Sequence, residues 1–445
     1  MPNMQMDDLV LVSVDDHVIE PKDAFIKHFP ERLKSKAPHV VRSKGAAGQE
    51  VDAWYWEGQR YPTFGLNAVV GRPRSEYGME PSNFDQIREG TWDIKQRIDD
   101  MNVNGVLGSL NFPTFPSFGG KVFHETADKA MALVAVQAYN DWHILEWCAY
   151  EPGRMIPLAI LPLWSVPETV AELKRVSKMG CHAVTFPDNP ALVGLPSLHD
   201  PVWEPVWKTC TELQIVLNCH IGTGSRAAHP SELSPIDAYI TSMPMSIANS
   251  AADWTFASFW NRYPNLRMCL SEGGIGWVPY FLERADFTYE HHHEWTFSDF
   301  GAGKPSDVFK RQIITCFIDD KFGLENLGAM NEDMVAWECD YPHSDAVWPK
   351  CPEYFWATVQ KLTDAQINKV SHANVMREYN YDPFSILGGR ANCTVGALRA
   401  KATHVDTSIR ANLGGLKAET EAYFGYGKEK KPVTSGQILK MYASA

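Results

Sequence analysis

Residues 9–17 read LVLVSVDDH, a short apolar run that stops abruptly on Asp15, Asp16 and His17. A run of this length, bounded by polar residues, has the pattern of a strand buried on both faces. Three further runs stop in the same way. QIVLNCH (214–220) ends on His220, RMCLSE (267–272) on Glu272, and DMVAWECDYPH (333–343) reaches Asp340 just before a Tyr-Pro-His turn. Polar side chains at the ends of several parallel strands are where a closed α/β barrel assembles its active site. A metal held across the four strand ends accounts for all of them at once.

Working outward from these runs, strand and helix patterns alternate. DIKQRIDDMN (93–102) precedes VLGSLNFP, a long helical stretch over 125–150 precedes IPLAILPLW, and PETVAELKRVSKMG precedes HAVTFP. DPVWEPVWKTCTEL leads into QIVLNCH and residues 245–263 into RMCLSE. Helix 276–293 then leads to QIITCFID, and a last helical turn to DMVAWECD. Eight strands separated by helices imply right-handed crossovers and a parallel sheet. Eight favour a (β/α)8 TIM-like barrel over an open doubly wound sheet, and no GxGxxG loop follows the first strand. Residues 1–385 are read as this barrel. It carries a loop-rich insertion over about 39–90, in which WYWEGQRYPTF (54–64) suggests a hairpin. Residues 386–445, with the basic run GKEKKPV (427–433), form a C-terminal extension, either an arm for an oligomer contact or a terminus without fixed structure.

Composition narrows the functional classes. The 445 residues are 44% hydrophobic and 21% charged, as in a globular protein. A formal net charge of −13 disfavours nucleic acid and anionic membranes as partners. No run approaches the roughly 18 apolar residues of a membrane span, and MPNMQMDDL lacks the features of a signal peptide. Nine cysteines without a CxxC pair point to reduced thiols and a cytoplasmic protein. Cys219 and Cys339 precede His220 and Asp340, so strand alternation turns both away from the site as packing residues.

The same alternation places Asp15 and His17 on one face and Asp16 on the other. A carboxylate and an imidazole side by side make half of a divalent-metal site, although an Asp–His hydrogen bond capping a strand has the same pattern. Asp340 can ligate a metal and accept a proton from bound water; His343 is placed behind it or toward substrate. Arg72, Arg74 and Arg226 can each clamp a substrate carboxylate, Arg226 best placed at six residues beyond His220. Trp277 and Trp348 follow two site strands, as pocket walls or as core. No GxSxG elbow points to a serine hydrolase, and the glycines of SEGGIGW lack a P-loop lysine.

The ordered motifs DDHVIEP, CHIGTGS, LSEGGIGWVPYFLERAD and ECDYPHSDAVWP resemble the amidohydrolase-related family, the branch of that superfamily containing metal-dependent non-oxidative decarboxylases. The resemblance spans most of residues 8–385. It implies a barrel with a divalent metal (Zn, Mn or Fe) at the C-terminal ends of the strands. Asp15 and His17 fall on the family's first-strand pair, His220 on its fifth-strand histidine and Asp340 on its eighth-strand aspartate. Two departures stand out: Asp15 replaces the commoner His or Glu, and Glu272 replaces a sixth-strand histidine. Within the tract Tyr289–His293, His292 is the favoured additional ligand. Together with Glu272 it would allow two metals in place of one. No lysine ends HAVTFPDNP, so a carbamate bridge is not expected.

Three activities share such a site. Non-oxidative decarboxylation of a small carboxylic acid, aromatic acids included, is the leading expectation, with Asp340, His343 and Arg226 as catalytic candidates. Hydrolysis of an amide or ester by metal-activated water is the second, and oxygen activation by a dinuclear Fe or Fe/Mn centre the third. A barrel acting as a non-catalytic partner subunit is the alternative from another class. By analogy with the family, a homo-oligomer is expected, with the 39–90 segment and the C-terminal extension as contact surfaces.

Overall fold

In the computed structural model, which describes residues 3–45, 50–62, 64–78, 80–225, 227, 231–411 and 432–438, each of the eight expected barrel strands pairs in parallel with its neighbours. The chain begins with β1 (Leu11–Val18), followed by an antiparallel three-stranded sheet of β2 (His39–Lys44), β3 (Glu50–Trp56) and β4 (Gln59–Tyr61). The β3–β4 hairpin is the one expected from WYWEGQRYPTF, and it turns at Glu57–Gly58 with both residues at positive φ. The remaining strands are β5 (Val106–Pro113), β6 (Met155–Ile156), β7 (Leu158–Ala159), β8 (Ala183–Thr185), β9 (Val216–His220), β10 (Arg267–Ser271), β11 (Ile313–Phe317) and β12 (Val335–Trp337).

The larger sheet runs β6-β5-β1-β12-β11-β10-β9-β8-β7, nine strands in an open order. Its two ends are adjacent in sequence. β6 pairs with β5 through Leu110↔Ile156, and β7 pairs with β8 through Leu158↔Ala183, with Pro157 between them. Proline has no N–H to give the ladder, so a single strand is divided at that residue and the sheet closes through it. The architecture is an α/β TIM barrel of eight strand positions.

Two apolar layers hold it. Val10, Val12, Leu107, Leu158, Val216 and Ile314 fill the barrel interior. A larger shell lies between the strands and the outer helices, including Leu173, Val206, Trp207, Trp254 and Phe355. The helices begin where the sequence supplies a cap: Asp93 accepts from Gln96 N, Asp128 from Met131 N and Ser165 from Glu168 N. Beyond residue 385, the Val395–Lys401 helix buries Val395 and Leu398, and Val395 N donates to Leu9 O. Most of GKEKKPV lies outside the described residues. Among the described residues, no helix is long and apolar enough to cross a membrane.

Candidate metal centre and its cavity

Four strand ends converge on one buried cluster. Asp15 and His17, on one face of β1, are both fully buried. His17 Nε2 lies 3.5 Å from Asp15 Oδ1, 3.2 Å from Asp340 Oδ1 and 3.3 Å from His220 Nε2. His220 Nε2 is in turn 3.5 Å from Asp15 Oδ2 and 2.9 Å from Glu272 Oε2. His343 Nδ1 sits 2.9 Å from Asp340 Oδ1, and its ring stacks on His17 at 3.7 Å between centroids. Two groups of donor atoms are close enough to hold a metal ion: Asp15–His17–His220 and His17–Asp340–His343.

Backbone geometry fixes these positions. Asp340 N donates to Asp15 O (2.8 Å) and His17 N to Tyr341 O (2.7 Å), which ties the end of β1 to the turn after β12. Asp340 and Glu272 both occupy the left-handed region, at φ 57° and 61°. Non-glycine residues are held there only when their surroundings compel it, and such strain gathers at functional sites. For Glu272 the restraint is visible: its N–H donates to Glu338 Oε2 at 3.1 Å. Behind β1, the buried Arg97 guanidinium donates to the carbonyls of Gly90 and His17. Asp16 points away from the cluster, accepting from Tyr341 N and Ser109 Oγ. His220 Nδ1 lies 2.7 Å from Ile221 O, which leaves Nε2 facing Asp15, His17 and Glu272.

The donor set fits a divalent cation. Both carboxylate oxygens of Asp15 are buried without any hydrogen-bond donor, and buried polar atoms are rarely left so. Burial first, then the negative charges of Glu338, Glu272 and Asp340, push the Asp15 carboxyl well above its usual range. Asp340 is raised by burial and by Glu272. Burial, followed by the neighbouring His343 and His220, drives His17 well below an ordinary imidazole. A bound cation favours the deprotonated form of every one of these groups.

Glu338 belongs to the same arrangement and was not among the sequence candidates. It is 1% exposed, accepts from Cys316 Sγ at 2.6 Å as well as from Glu272 N, and burial raises its carboxyl to about 7. In ECD, alternation sets Glu338 on the face of Asp340, which is the signal that identifies it.

A cavity of about 490 Å³ adjoins the cluster, its wall formed by Glu272, Glu338, Asp345, Ser344, Arg74 and Tyr77, among others. The rings of Phe112 and Phe118 stand 5.0 and 4.4 Å from His220 between centroids. Arg74 comes from the insertion and lines the cavity. Arg72 does not reach it: its guanidinium is buried against Gln86 O. Arg226 lies outside the described residues. Trp277 and Trp348 are not among the cavity-lining residues; their indole N–H groups donate to Gly273 and Gly274 carbonyls and to Asp100 O. Nor does SEGGIGW hold a phosphate, since the N–H groups of Ile275 and Gly276 donate to the Asp320 carboxylate.

His292 is the ligand candidate that the fold does not bring in. It lies fourteen residues into the Val278–Thr296 helix, about 21 Å along the axis from its start. Its Nδ1 accepts from the indole of Trp295. Cys219 and Cys339 are buried, with Cys339 Sγ facing Cys351 at 3.4 Å.

A closed parallel barrel with a carboxylate–imidazole cluster at the C-terminal ends of β1, β9 and β12 is the architecture of metal-assisted lyases and hydrolases. Residues 60–380 match the amidohydrolase family model, and the chain belongs to this family. It is 24% identical over 265 residues to the 2-amino-3-carboxymuconate-6-semialdehyde decarboxylase of Dictyostelium discoideum, covering 58% of this chain and 69% of that one. Among solved structures, an amidohydrolase from Mycobacterium avium subsp. paratuberculosis K-10 superposes with a TM-score of 0.62 at 16% identity, over 83% of this chain and 99% of the other. A 5-carboxyvanillate decarboxylase from Novosphingobium aromaticivorans, with bound manganese and 3-methoxy-4-hydroxy-5-nitrobenzoic acid, gives 0.57 at 14% identity, over 85% and 100%.

Proposed function

We propose that the chain is a metal-dependent carboxy-lyase that removes CO2 without oxidation from a small, aromatic or unsaturated carboxylic acid. The observation carrying this reading is the unpartnered Asp15 carboxylate among His17, His220 and Asp340, beside a cavity that also presents a cation, Arg74. Decarboxylase relatives, one of them with manganese, support it.

Asp15, His17, His220 and Asp340 are the residues that would hold the metal, with Glu272 beside His220. When bound, a divalent cation supplies a Lewis acid for the negative charge left as CO2 departs. The protein's own groups do the rest. Arg74 anchors a substrate carboxylate and orients the ring. Phe112 and Phe118 pack on the His17 and His220 rings and shield them from water. His343, lowered by burial to about 4, orients Asp340 through Nδ1, and Glu338, which lines the cavity and is raised by burial to about 7, is the group that passes a proton to the carbanionic carbon. Removing the Arg74 guanidinium (Arg74→Gln) is expected to raise KM for the acid about tenfold while changing kcat less, because the anchor acts on ground state and transition state alike.

The same donor set suits activation of water for amide or ester hydrolysis. The two-metal oxygen-activating alternative loses His292 as a ligand, and a second ion would have to share His17 and Asp340 with the first, with His343 beside them. CO2 release discriminates. Manganese-loaded protein should convert a member of a panel of hydroxybenzoates, 5-carboxyvanillate and carboxymuconate semialdehydes to one CO2 per product, without oxygen uptake. Turnover of amides or esters with no CO2 from any acid would overturn the proposal.

A further inference from the structure

We infer that Asp188 is a positioning residue for the metal ligand His220, acting through the loop that follows β9. The inference rests on the metal-centre reading, and not on which reaction that centre carries out. Asp188 stands in the segment HAVTFPDNP, just past β8, and is fully buried. Its Oδ1 accepts from Thr223 Oγ1 at 2.9 Å and from Ser225 N at 3.1 Å. Its Oδ2 accepts from Ser250 Oγ at 2.5 Å, with Ser225 N at 3.3 Å. These donors are all neutral. A buried carboxylate is costly wherever its oxygens are not fully paired, and packing alone is served better by an apolar side chain. What a carboxylate supplies here is acceptor capacity: three donors converge on two oxygens, whereas an asparagine amide offers one oxygen and two unwanted donors.

The same contacts lead to His220. Thr223 Oγ1 accepts from Asp188 N at 2.9 Å and lies 2.7 Å from His220 O, which also accepts from Thr223 N at 3.3 Å. The turn from His220 to Ser225 is therefore held at both ends, by Thr223 against the His220 carbonyl and by Ser225 N on the carboxylate. Between them lies Ile221, whose carbonyl is 2.7 Å from His220 Nδ1. That contact selects the tautomer. A proton on Nδ1, paired with Ile221 O, leaves the Nε2 lone pair for a metal. If the turn shifts, the Ile221 carbonyl leaves Nδ1 and nothing keeps the proton off Nε2. The packing leaves little slack for such a shift, since a Cβ on Gly224 would lie 2.4 Å from Asn189 O. Asp188 is itself fixed from behind by the Ser246–Thr255 helix, through Ser250 and through Trp254 Nε1, which donates to its carbonyl at 2.7 Å.

Titration of the metal-free full chain with Mn(II), with the free ion read by electron paramagnetic resonance, tests this. Asp188→Asn is expected to weaken Mn(II) binding about 10–100-fold. Thr223→Val, which keeps the shape and removes the hydroxyl, should weaken it in the same direction, and Thr223→Ser should restore most of that loss. Co(II) provides a readout that a merely structural role would not move. At saturating metal the visible d–d bands of Asp188→Asn should differ from wild type, while the far-ultraviolet circular dichroism of the two metal-free proteins is the same. Wild-type affinity and an unchanged cobalt spectrum in both Asp188→Asn and Thr223→Val would overturn the inference and leave the metal centre standing. If Asp188→Asn does not fold, the Thr223 pair decides, and equal affinities in the valine and serine variants overturn it. A wild type that binds no Mn(II) removes the metal-centre reading itself, and this inference with it.

Discussion

Replacing Asp15 by asparagine removes a carboxylate whose two oxygens are buried without a donor, and two opposite effects should follow. Without metal, the variant should be more stable than wild type, by on the order of 2 kcal/mol, because an uncompensated buried acid is gone. With manganese added at a hundred times the wild-type Kd, wild type should gain about 2.7 kcal/mol. For 445 residues at about 2.1 cal/mol/K each, that is a rise in Tm of about 3 °C. The variant should show no rise. Thermal unfolding with and without Mn(II) measures both; equal metal-induced shifts in the two proteins would remove Asp15 from the ligand set. At this scale the sequence is informative where a period decides the answer. Alternation pairs Asp15 with His17, and it equally pairs Glu338 with Asp340, so Glu338 was legible in ECD. Its hold on Glu272 was not, because only the fold brings that N–H to Oε2. Which of Arg72 and Arg74 reaches the cavity was equally hidden, since it depends on how an irregular loop packs.

The elements are held to one another at the strand ends, and Arg97 shows how. From the Ile94–Asn104 helix its guanidinium reaches the carbonyls of Gly90 and His17, and it lies over the Tyr341 ring at 4.3 Å. It thereby joins that helix to the ends of β1 and β12. Arg97→Ala should cost about 3 kcal/mol in urea unfolding, since two buried carbonyls lose their donor and a large side chain leaves a gap. Metal affinity should fall 10–100-fold through loss of the support behind His17. Arg97→Lys should recover little of either, because a single ammonium cannot reproduce the planar fork. Full recovery by lysine would mean that charge alone matters there. The strands themselves were legible as apolar runs between turn residues, including IPLAILPLW, which the structure divides at Pro157. Helix faces were harder to read. The step from His291 to His293 turns through about 200°, and His292 lies well along a 19-residue helix, outside the donor groups gathered at the strand ends.

Across the whole molecule, buried titratable groups outside the metal cluster pull stability in opposite directions with pH. Burial lowers His143 to about 3, while Glu20, buried among backbone N–H groups of Thr114 and Phe115, is raised to about 7. For His143 the unfolded chain binds the extra proton below about 6.5. Its contribution is therefore complete above that pH and is lost as pH falls toward 3. For Glu20 the native state binds the extra proton between 4.5 and 7, so its contribution falls as pH rises through that window. These effects partly cancel in wild type, and a difference measurement isolates one. Relative to wild type, His143→Gln should gain about 3 kcal/mol between pH 6.5 and pH 4, read from urea midpoints. A constant difference would mean that His143 is protonated in the native state. The fold class was legible at this scale because eight strand–helix units leave few topologies open.

Metal content per chain, measured by plasma mass spectrometry on protein purified without chelators and paired with CO2 release from the same preparation, bears most directly on the metal-dependent carboxy-lyase reading. About one divalent ion per chain, lost together with CO2 release in His220→Ala, is the predicted result. CO2 release that persists in metal-free protein, or one ion per chain retained in both Asp15→Asn and His220→Ala, would contradict it.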